Sequence, residues 1–395
     1  MPFQATLYQR IFHRDLHIPF PISHQTRYNI MRRNYSDRVC LCLSVLLLFY
    51  IGWYVLTSSN FTVRFRRDSA EELAYKNAIK LSSPMMENRQ ICSVDETNLI
   101  LLIISVSTHF LQRQSIRETW GSMSDMFGIH SQRLFVIGYR PGGNLYKELS
   151  NEAIHEQDLL YLTVDDHSVT LKELHAYRWL EQYCSTAVYI FKTEDDLFVN
   201  SILLHELVRE LKTRPNDTKN RYLYNISLDS LFNAQINSDA SRFLFGWSFL
   251  PGRPERTLTN SQYYVTYQEY PNELYPRYCS GFGYLMNSKT RNALTKEALR
   301  IQRPFRFSDI FITGMMSANL NFICDTLPFT FHQGTTDECI ELIRDNNKKV
   351  LSSPPTPVII CSTGLHTGQS SFNDYYKIWV ALKLMYAGKL QTSNN

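Results

Sequence analysis

Short apolar runs alternate with helix-like segments through the middle of this chain, and this alternation limits the possible folds more than any other feature. The apolar runs occupy residues 99–106, 134–137, 159–164 and 187–191. The helix-like segments occupy residues 113–123, 146–156 and 170–183, and a further one follows at 201–212. Strand-length apolar runs separated by helices are typical of βαβ units. The pattern therefore predicts an α/β fold with a mostly parallel sheet.

Composition limits the class of protein and of partner. With 395 residues, 44% of them hydrophobic, the chain can bury a sizeable core in one large domain or two ordinary ones. Six arginines and two aspartates among residues 1–38 account for the whole net charge of +4. The remainder is formally neutral. Because nucleic-acid affinity depends on basic residues that neutralise phosphates, we expect no nucleic-acid partner.

Residues 39–57 contain no charged side chain. A helix of that length spans roughly the 30 Å hydrocarbon core of a bilayer, although a buried core helix is an alternative. We interpret this stretch as a transmembrane signal anchor. The expected organisation is then a cytosolic tail over 1–38, a polar stem over 58–90 and a lumenal domain over 91–395. Arginines on both flanks favour a cytosolic N-terminus only slightly.

Cysteines and glycosylation sequons support that orientation. The six cysteines beyond residue 57 show no closely spaced zinc-type pair, which favours disulfides in an oxidising compartment and leaves their pairing open. Asn60, Asn216 and Asn225 each begin an Asn-x-Ser/Thr acceptor sequence. Together with the apolar stretch, these features predict a single-pass type II membrane protein.

Three adjacent carboxylates, Glu194, Asp195 and Asp196, follow the apolar run 187–191. In open α/β sheets, ligands bind beyond the carboxyl ends of the strands. On an extended backbone Glu194 and Asp196 would point to the same side, where two carboxylates can hold a hard divalent cation. A solvated acidic turn is the alternative interpretation. Because apolar residues resume at once, the acids must be partly buried, and a cation would offset that cost.

The triplet lies within KTEDDLFVN, residues 192–200, which resembles the Lys-x-Asp-Asp-Asp-x-Phe-Val-Asn signature of the β-1,3-galactosyltransferase and β-1,3-N-acetylglucosaminyltransferase family (glycosyltransferase family 31). Further segments resemble family motifs in the same order: RQSIRETWG (113–121), LFVIG (134–138), VTLKEL (169–174), EYPNELYPRYCSGFGYLMN (269–287) and SDIFITG (308–314). The resemblance implies a GT-A-type, Rossmann-like nucleotide-sugar fold behind a signal anchor, in a Golgi membrane enzyme.

The resemblance also implies a metal and nucleotide site at the triplet. Asp-x-Asp motifs of the family hold a divalent cation, usually Mn²⁺, that bridges the diphosphate of a UDP-sugar. By carry-over, Asp196 is the principal ligand, Glu194 holds the metal or the nucleotide, and Asp195 supports both. Glu194 stands where the family has Asp. A late histidine that completes the metal shell corresponds to His366, with His332 as the competing candidate.

The catalytic base implied by the resemblance is Asp309, which would take the proton of the acceptor hydroxyl. Its alternative role is that of a helix N-terminal carboxylate, where the helix dipole favours negative charge. Ser308 stands where the family has Glu. Ser280, Gly281 and Gly283 are predicted to form a substrate loop, since glycines allow the backbone to approach a ligand closely.

Several other residues of the motifs have two possible roles. Arg117 corresponds to a nucleotide-side arginine of the family, and a surface ion pair is the alternative. We expect Trp120 to pack in the core and Cys279 to form a disulfide. Residues 165–167 contain two aspartates and a histidine, which could suggest a second metal site. We interpret them instead as a shortened loop before the 169–174 motif.

The expected function is Mn²⁺-dependent, inverting transfer of a hexose, with galactose as the expected sugar. The donor is a UDP-sugar, and the acceptor is a glycan hydroxyl on a glycoprotein or glycolipid that becomes β-1,3-linked. UDP-GlcNAc and UDP-GalNAc are alternative donors. Ser308 and Glu194 leave open a catalytically weak, glycan-binding relative. A metal-dependent lumenal hydrolase is a third interpretation of the same carboxylates.

Overall fold

A computed structural model describes residues 84–92, 97–213, 222–236, 243–301, 303–345, 356–362 and 372–393. The predicted cytosolic tail, the signal anchor and most of the stem lie outside these residues, as do Asn60, Asn216 and His366. Among the described residues, no helix combines the length and apolar character needed to cross a membrane.

The central sheet is mixed and contains eight strands. In chain order they are β1 Thr97–Ile104, β2 Asp125–Met126, β3 Ile129–Tyr139, β4 Leu159–Asp165, β5 Tyr189–Glu194, β9 Leu244–Phe249, β10 Tyr278–Asn287 and β11 Asp325–Thr326. Their spatial order is β11-β9-β10-β5-β1-β3-β2, with β4 also paired to β3. Strands β1, β3, β4 and β5 pair in parallel, whereas β10 runs antiparallel to β5 and β9. The predicted parallel sheet is thus confirmed for its first half.

The remaining strands form two small sheets. Strands β6 Phe198–Val199, β12 Thr330–Gln333 and β13 Val358–Ser362 pair in the order β12-β13-β6. Strands β7 Tyr222–Leu223 and β8 Ile226–Ser227 form a hairpin. Its two connecting residues, Tyr224 and Asn225, have positive φ angles of 54° and 62°, as type I′ hairpin turns require. The sequon residue Asn225 is therefore exposed at a turn.

Helices connect the strands and cover both faces of the sheet. They are α1 Phe110–Glu118, α2 Leu145–Glu156, α3 Val169–Tyr183, α4 Ser201–Thr213, α5 Asp229–Ile236, α6 Ser288–Ala298, α7 Ser317–Asn319, α8 Thr336–Asp345 and α9 Asn373–Ser393. Short 3₁₀ turns occupy Arg89–Cys92 and Trp120–Ser122, and a π-helix occupies Asp309–Met316. The helix-like segments predicted from the sequence correspond to α1, α2, α3 and α4.

Two apolar cores lie on opposite faces of the sheet, because alternate residues of each strand point to opposite sides. Leu101 and Phe191 belong to one core, which α4 and α9 complete. Leu102 and Ile190 belong to the other, which α3, α6 and the π-helix complete. Every residue of β1 is buried, as expected for a strand covered on both faces. Trp120 is fully buried in the first core, so its predicted packing role is confirmed.

All six cysteines beyond residue 57 are paired, as Cys92–Cys184, Cys279–Cys324 and Cys339–Cys361. The predicted disulfide of Cys279 is confirmed. The structure also supplies the pairing of the six cysteines, which the sequence left open. The 279–324 bond ties the start of β10 to the segment before β11. It therefore anchors the strand that borders the candidate site.

The end of the predicted stem belongs to the folded part. The amides of Met85 and Met86 donate to the carbonyl oxygen of Tyr161 in β4, at 2.7 and 3.3 Å. Cys92 joins Cys184 at the end of α3. The boundary at residue 90 stays a prediction, and within the predicted stem Met85 and Met86 are hydrogen-bonded to β4 of the domain.

Candidate active site

The carboxylate triplet lies at the carboxyl end of β5, next to β1. Glu194 is the last residue of β5 and pairs in register with Ile104. The chain then turns at Asp195 and Asp196, and β6 begins two residues later. The backbone therefore leaves the extended conformation after Glu194, so the strand alternation assumed in the sequence analysis does not continue through the triplet. The position beyond a strand end is as predicted.

Asp195 faces the end of β1 and is nearly fully buried. Its Oδ2 accepts a hydrogen bond from Ser105 Oγ at 2.6 Å and lies 2.9 Å from His109 Nδ1. Arg113 in α1 donates to the same Ser105 oxygen at 3.1 Å. Through these contacts Asp195 holds the turn against the end of β1, which agrees with the supporting role expected for it.

Asp196 is the most electrostatically crowded member of the triplet. Burial, followed by the charges of Glu194 and Asp195, raises the pKa of Asp196 to about 7. A carboxylate with this environment is stabilised by a nearby cation, and carboxylate oxygens are the ligands preferred by hard divalent ions. The residues of the turn thus fit a divalent cation held jointly with an anionic ligand.

Glu194 reaches back into the protein to a lysine of its own strand. Lys192 Nζ donates to Glu194 Oε1 at 3.1 Å and to the carbonyl oxygen of Gly281 at 3.0 Å. The lysine side chain is fully buried. Although burial alone would lower the pKa of Lys192, the charges of Glu194 and Glu173 outweigh it and raise the pKa. The longer arm of glutamate therefore serves an ion pair beneath the site.

The predicted substrate loop is part of a strand, not a loop. Ser280, Gly281 and Gly283 lie within β10, where the pairing with β9 shifts register between Cys279 and Tyr284. Such a bulge bends the strand and re-aims its backbone, so these residues form an irregular stretch of strand and not a loop. Gly283 serves packing, since a Cβ atom there would lie 2.6 Å from Ile360 Cδ1.

Gly281 lies between the triplet and Asp309. A Cβ atom at Gly281 would lie 3.0 Å from Glu194 Oε1, 3.6 Å from Lys192 Nζ and 3.9 Å from Asp309 Cβ. The structure therefore brings together Glu194, Gly281 and Asp309, although Glu194 precedes the other two by more than eighty positions in the sequence. Any side chain at residue 281 would occupy the space between the Glu194 carboxylate and the Cβ atom of Asp309.

Asp309 begins the π-helix Asp309–Met316, and π-helices are frequent at functional sites. Its Oδ1 accepts a hydrogen bond from the Ile310 amide at 2.8 Å. Burial raises the pKa of Asp309, and Glu194 adds to the rise, whereas the Ile310 amide and Lys192 oppose it. Both roles considered for this residue are compatible with its position. Ser308, where a second acid was expected, is buried.

Glu173 is a buried acid of the site that the sequence analysis did not single out. It lies in α3, with both side-chain oxygens inside the protein and Oε2 3.8 Å from Lys192 Nζ. Tyr177 donates to Glu173 Oε1 at 2.5 Å, and Tyr284 donates to the same oxygen. An acid on the buried face of an amphipathic helix was the available signal. Its partner, however, lies on a strand nineteen residues later.

The Lys192–Glu173 pair provides a stability prediction. Lys192→Met leaves Glu173 and Glu194 without their buried cation, so the free energy of unfolding should fall by about 3–5 kcal/mol. The double variant Lys192→Met/Glu173→Gln should recover part of this loss, because one of the two acids is then neutral. Thermal unfolding of the purified full-length chain measures both.

Lys377→Met is the matched control, since this exposed lysine pairs with Asp374 at 2.9 Å near the surface. Exposed pairs contribute only about 0–1 kcal/mol. If Lys192→Met were no more destabilising than Lys377→Met, the buried pair would not hold the site together.

The structure places Arg117 in a buried ion-pair cluster. Arg117 donates to both carboxylate oxygens of Asp158, at 2.9 and 2.7 Å, and to Glu152 at 2.7 Å. Glu152 also accepts from Arg113, which reaches Ser105 beside the triplet. Arg117 is thus linked to Asp195 through a chain of side chains. Its predicted contact with a nucleotide stays a prediction.

Of the two candidate metal-binding histidines, His366 lies outside the described residues. His332 lies in β12, where it pairs in register with Cys361, and its Nε2 is 3.9 Å from Glu338. Among the described residues, no three His, Cys, Asp or Glu side chains converge as a metal cluster. The cation site proposed at Asp196 therefore needs ligands from outside that set, such as diphosphate oxygens.

Asp166, within the segment considered as a second metal site, is fully engaged by the protein. Its Oδ2 accepts from the amide and hydroxyl of Ser107, at 2.8 and 2.7 Å. Its Oδ1 accepts from the Gly138 amide at 2.9 Å, and Lys172 lies 3.4 Å away. These contacts agree with the structural interpretation of residues 165–167.

Comparison with known proteins identifies the family to which this arrangement belongs. The sequence model of the galactosyltransferase family matches residues 111–323, a range that contains the triplet, the β10 bulge and Asp309. The chain belongs to the galactosyltransferase family. The family resemblance seen in the sequence motifs is thus confirmed, and the chain is a glycosyltransferase.

Curated relatives of this galactosyltransferase-family chain differ in the sugar that they are named for. The chain is 25% identical over 308 residues to UDP-GalNAc:beta-1,3-N-acetylgalactosaminyltransferase 1 of Homo sapiens, which covers 76% of this chain and 84% of the relative. It is 30% identical over 221 residues to Beta-1,3-galactosyltransferase 4 of Mus musculus, which covers 54% and 58%. Beta-1,3-galactosyltransferase 1 of Mus musculus is 29% identical over 222 residues, covering 55% and 60%.

Proposed function

We propose that this chain is an inverting transferase that moves galactose from UDP-galactose to a glycan hydroxyl and forms a β-1,3 linkage. One observation carries the proposal. Gly281 separates the carboxylate of Glu194 from Asp309 by little more than the space of one methyl group. A donor held at the triplet would therefore present its sugar to the carboxylate of Asp309.

The proposed step is a single displacement. The acceptor oxygen attacks the anomeric carbon from the face opposite UDP, and its proton passes to the Asp309 carboxylate. As the new carbon–oxygen bond forms, the bond to the UDP oxygen breaks and its electron pair leaves with UDP. Lys192 fixes Glu194 and the Gly281 carbonyl, so the two carboxylates keep their separation during the displacement. Positioned proton transfer of this kind typically accelerates a reaction by about 10²–10⁴-fold.

The proposed cofactor is Mn²⁺ or another divalent cation, with Asp196 as the principal protein ligand and Glu194 and His366 as further candidates. When bound with the donor diphosphate, such an ion supplies positive charge that stabilises the departing UDP. The crowding that raises the pKa of Asp196 supports this assignment. Asp195 orients the turn through Ser105 and His109.

UDP-GalNAc is the second candidate donor. The human relative that covers 76% of this chain is named for this sugar, whereas the two mouse relatives are named for galactose. Galactose and N-acetylgalactosamine have the same configuration at C4 and differ at C2. The names of these relatives therefore support a galacto-configured donor, with UDP-galactose proposed first and UDP-GalNAc second.

The proposed location is the Golgi membrane, with residues 39–57 as the signal anchor and the catalytic domain in the lumen. Three disulfides and the exposed sequon residue Asn225 support an oxidising, glycosylating compartment. The proposed acceptor is a glycan on a glycoprotein or glycolipid.

A donor screen tests the proposal. Purified full-length chain with Mn²⁺ should transfer sugar from UDP-galactose or UDP-GalNAc, but not from UDP-GlcNAc, to members of a panel of β-linked hexosides. One UDP should be released for each sugar transferred. Donor hydrolysis without any acceptor requirement would point to the hydrolase. Binding of UDP without transfer to any acceptor would point to the weak, glycan-binding relative, and either result would overturn the proposal.

A further inference from the structure

A row of aromatic side chains extends past the carboxyl end of β5. Strand β5 pairs with β10 only from Gly283 to Asn287, so the preceding residues of β10 project beyond it. Strand β9 accompanies this projection, with Phe249 in register with Tyr278. Trp247 and Phe282 complete the row. We call these four residues the aromatic shelf.

The rings of the shelf contact one another and a supporting ring below. Trp247 lies 5.0 Å from Phe249 and 5.8 Å from Phe282, measured between ring centroids, and Phe249 lies 5.5 Å from Tyr278. Trp247 also stacks on Phe331 of β12 at 5.9 Å, with 21° between the ring planes. The ring of Phe331, from a second sheet, therefore supports the indole of Trp247 from one side.

Unlike the aromatic residues of the cores, the shelf is partly open to solvent. Phe249 is 36% exposed, and the other three side chains are half-buried. The other described tryptophans, Trp120, Trp179 and Trp379, are at most 4% exposed. Single exposed apolar side chains are common, but a contiguous set beside a site marks a binding surface.

The shelf approaches the π-helix that begins at Asp309, and Tyr278 is the shelf residue on that side. Gly281, which approaches both Glu194 and Asp309, immediately precedes Phe282. The π-helix that begins at Asp309 packs on Tyr278, since a Cβ atom at Gly314 would lie 3.0 Å from Tyr278 Cβ. Burial raises the pKa of Tyr278 to about 12, and the negative charge of Asp309 adds to the rise, so Tyr278 is the shelf residue within electrostatic range of the proposed base.

The triplet turn lies toward the opposite neighbour of β5. Asp195 contacts Ser105 and His109 beyond β1, whereas the shelf belongs to β9 and β10 on the other side of β5. A nucleotide tethered to a diphosphate at Asp196 would occupy the β1 side. The side of β5 that carries the shelf is therefore left for the acceptor, whose hydroxyl the proposed function brings to Asp309.

We propose that the aromatic shelf binds a pyranose ring of the acceptor glycan and presents its hydroxyl to Asp309. A pyranose has an apolar C–H face that can cover an aromatic ring, while its hydroxyls at the edge remain hydrated or hydrogen-bonded. Sugars thus match an aromatic surface with polar groups at its border. The identification of this ring as the acceptor rests on the proposed function. The binding of a sugar to the shelf does not.

Tryptophan fluorescence tests the binding directly, because Trp247 is the half-buried tryptophan among those described. Full-length chain is titrated with methyl β-galactoside, methyl β-N-acetylglucosaminide and N-acetyllactosamine. At least one should give a saturable change in emission, and Trp247→Phe should remove it. Tyr222→Ala, at a 58% exposed tyrosine of the β7–β8 hairpin, should leave the change intact. No change with any sugar, or a change that persists in Trp247→Phe, would overturn the proposal.

Kinetics test the acceptor assignment. With the acceptor found in the donor screen, Phe249→Ala should raise the acceptor KM about tenfold, the effect of losing one good contact, and leave the donor KM at the wild-type value. Phe249→Tyr should restore the acceptor KM, since the ring is retained. An unchanged acceptor KM in Phe249→Ala would refute the shelf while leaving the transferase intact. Conversely, fluorescence-detected binding without any transfer would refute the transferase and leave the shelf as a sugar site.

Discussion

Asparagine in place of Asp309 should lower kcat for sugar transfer by about 10²–10⁴-fold, the usual contribution of a general base. The amide keeps the shape of the side chain and can still accept from the Ile310 amide at Oδ1. It cannot take the proton of the acceptor hydroxyl. Initial rates at saturating donor and acceptor measure the loss, and UDP binding should be retained because Asp309 lies on the β10 side of Glu194.

Asp337→Asn is the matched control for this variant. Asp337 lies in the first turn of α8, where it experiences the same helix-end electrostatics as Asp309, but it is exposed. If the role of Asp309 were only to stabilise the start of its helix, both variants would lose a similar, small amount of stability and neither would lose transfer. Wild-type kcat in Asp309→Asn would therefore show that Asp309 is a structural carboxylate.

Asp196→Asn should abolish Mn²⁺-dependent stabilisation by UDP and reduce transfer to background. The same variant should unfold at a higher temperature than the wild type when metal and UDP are absent. The reason is the sign of the pKa shift. The pKa of Asp196 is raised from 3.8 to about 7 in the folded protein. The folded state therefore loses stability relative to the unfolded chain as pH rises above 3.8, and the whole loss is present once pH exceeds about 7. Removing this charge should stabilise the protein at pH 8 by on the order of 1 kcal/mol or more.

Differential scanning calorimetry of the full-length chain measures both effects, with and without Mn²⁺ and UDP. Opposite signs in the free and ligand-loaded protein distinguish a ligand carboxylate from a merely structural one, whose loss would destabilise both. A structural Asp196 would predict a lower melting temperature without ligands and an unchanged UDP effect. That outcome would show that Asp196 does not bind the metal and that the metal site lies elsewhere.

Much of the α/β core could be predicted because its signals are local. Strand β1 contains an unbroken apolar run from Leu99 to Ile104, and α4 shows apolar residues at helical spacing, so both follow from neighbouring residues. The antiparallel pairing of β10 with β5 was not predictable in this way. It joins residues about ninety positions apart, and only the tertiary contacts decide its direction.

At the site, residue types were easier to predict than contacts. The position of the triplet at a strand end followed from the sequence, whereas the use of Glu194 did not. Its carboxylate could reach a metal or an internal lysine equally well on length alone. The structure pairs it with Lys192, and this choice depends on Gly281 and Glu173, which come from two distant elements.

The motif containing Arg117 illustrates the same difficulty. An arginine on a short helix could contact a phosphate or a carboxylate, and the sequence around it fits both. Its carboxylate partners, Asp158 and Glu152, lie more than thirty positions away. Cysteine parity likewise predicted disulfides but could not select the Cys279–Cys324 pair, since pairing depends on the fold.

Glu173 also changes the meaning of Ser308. Ser308 stands where the family has Glu, and for that reason the sequence left open a catalytically weak relative. The structure shows that Lys192 already has two carboxylate partners, Glu194 at 3.1 Å and Glu173 at 3.8 Å. The negative charge beneath the site is therefore supplied from α3, and the absence of an acid at residue 308 does not leave the lysine unbalanced.

The most direct test of the proposed transferase is the anomeric configuration of its product. Full-length chain is incubated with Mn²⁺, an acceptor hexoside and either UDP-galactose or UDP-GalNAc, and the new linkage is assigned by proton NMR. Attack from the face opposite UDP predicts a β linkage, which the proposal places at O3 of the acceptor, and the loss of this product in Asp309→Asn. An α-linked product, free hexose, or an undiminished yield in Asp309→Asn would contradict the account.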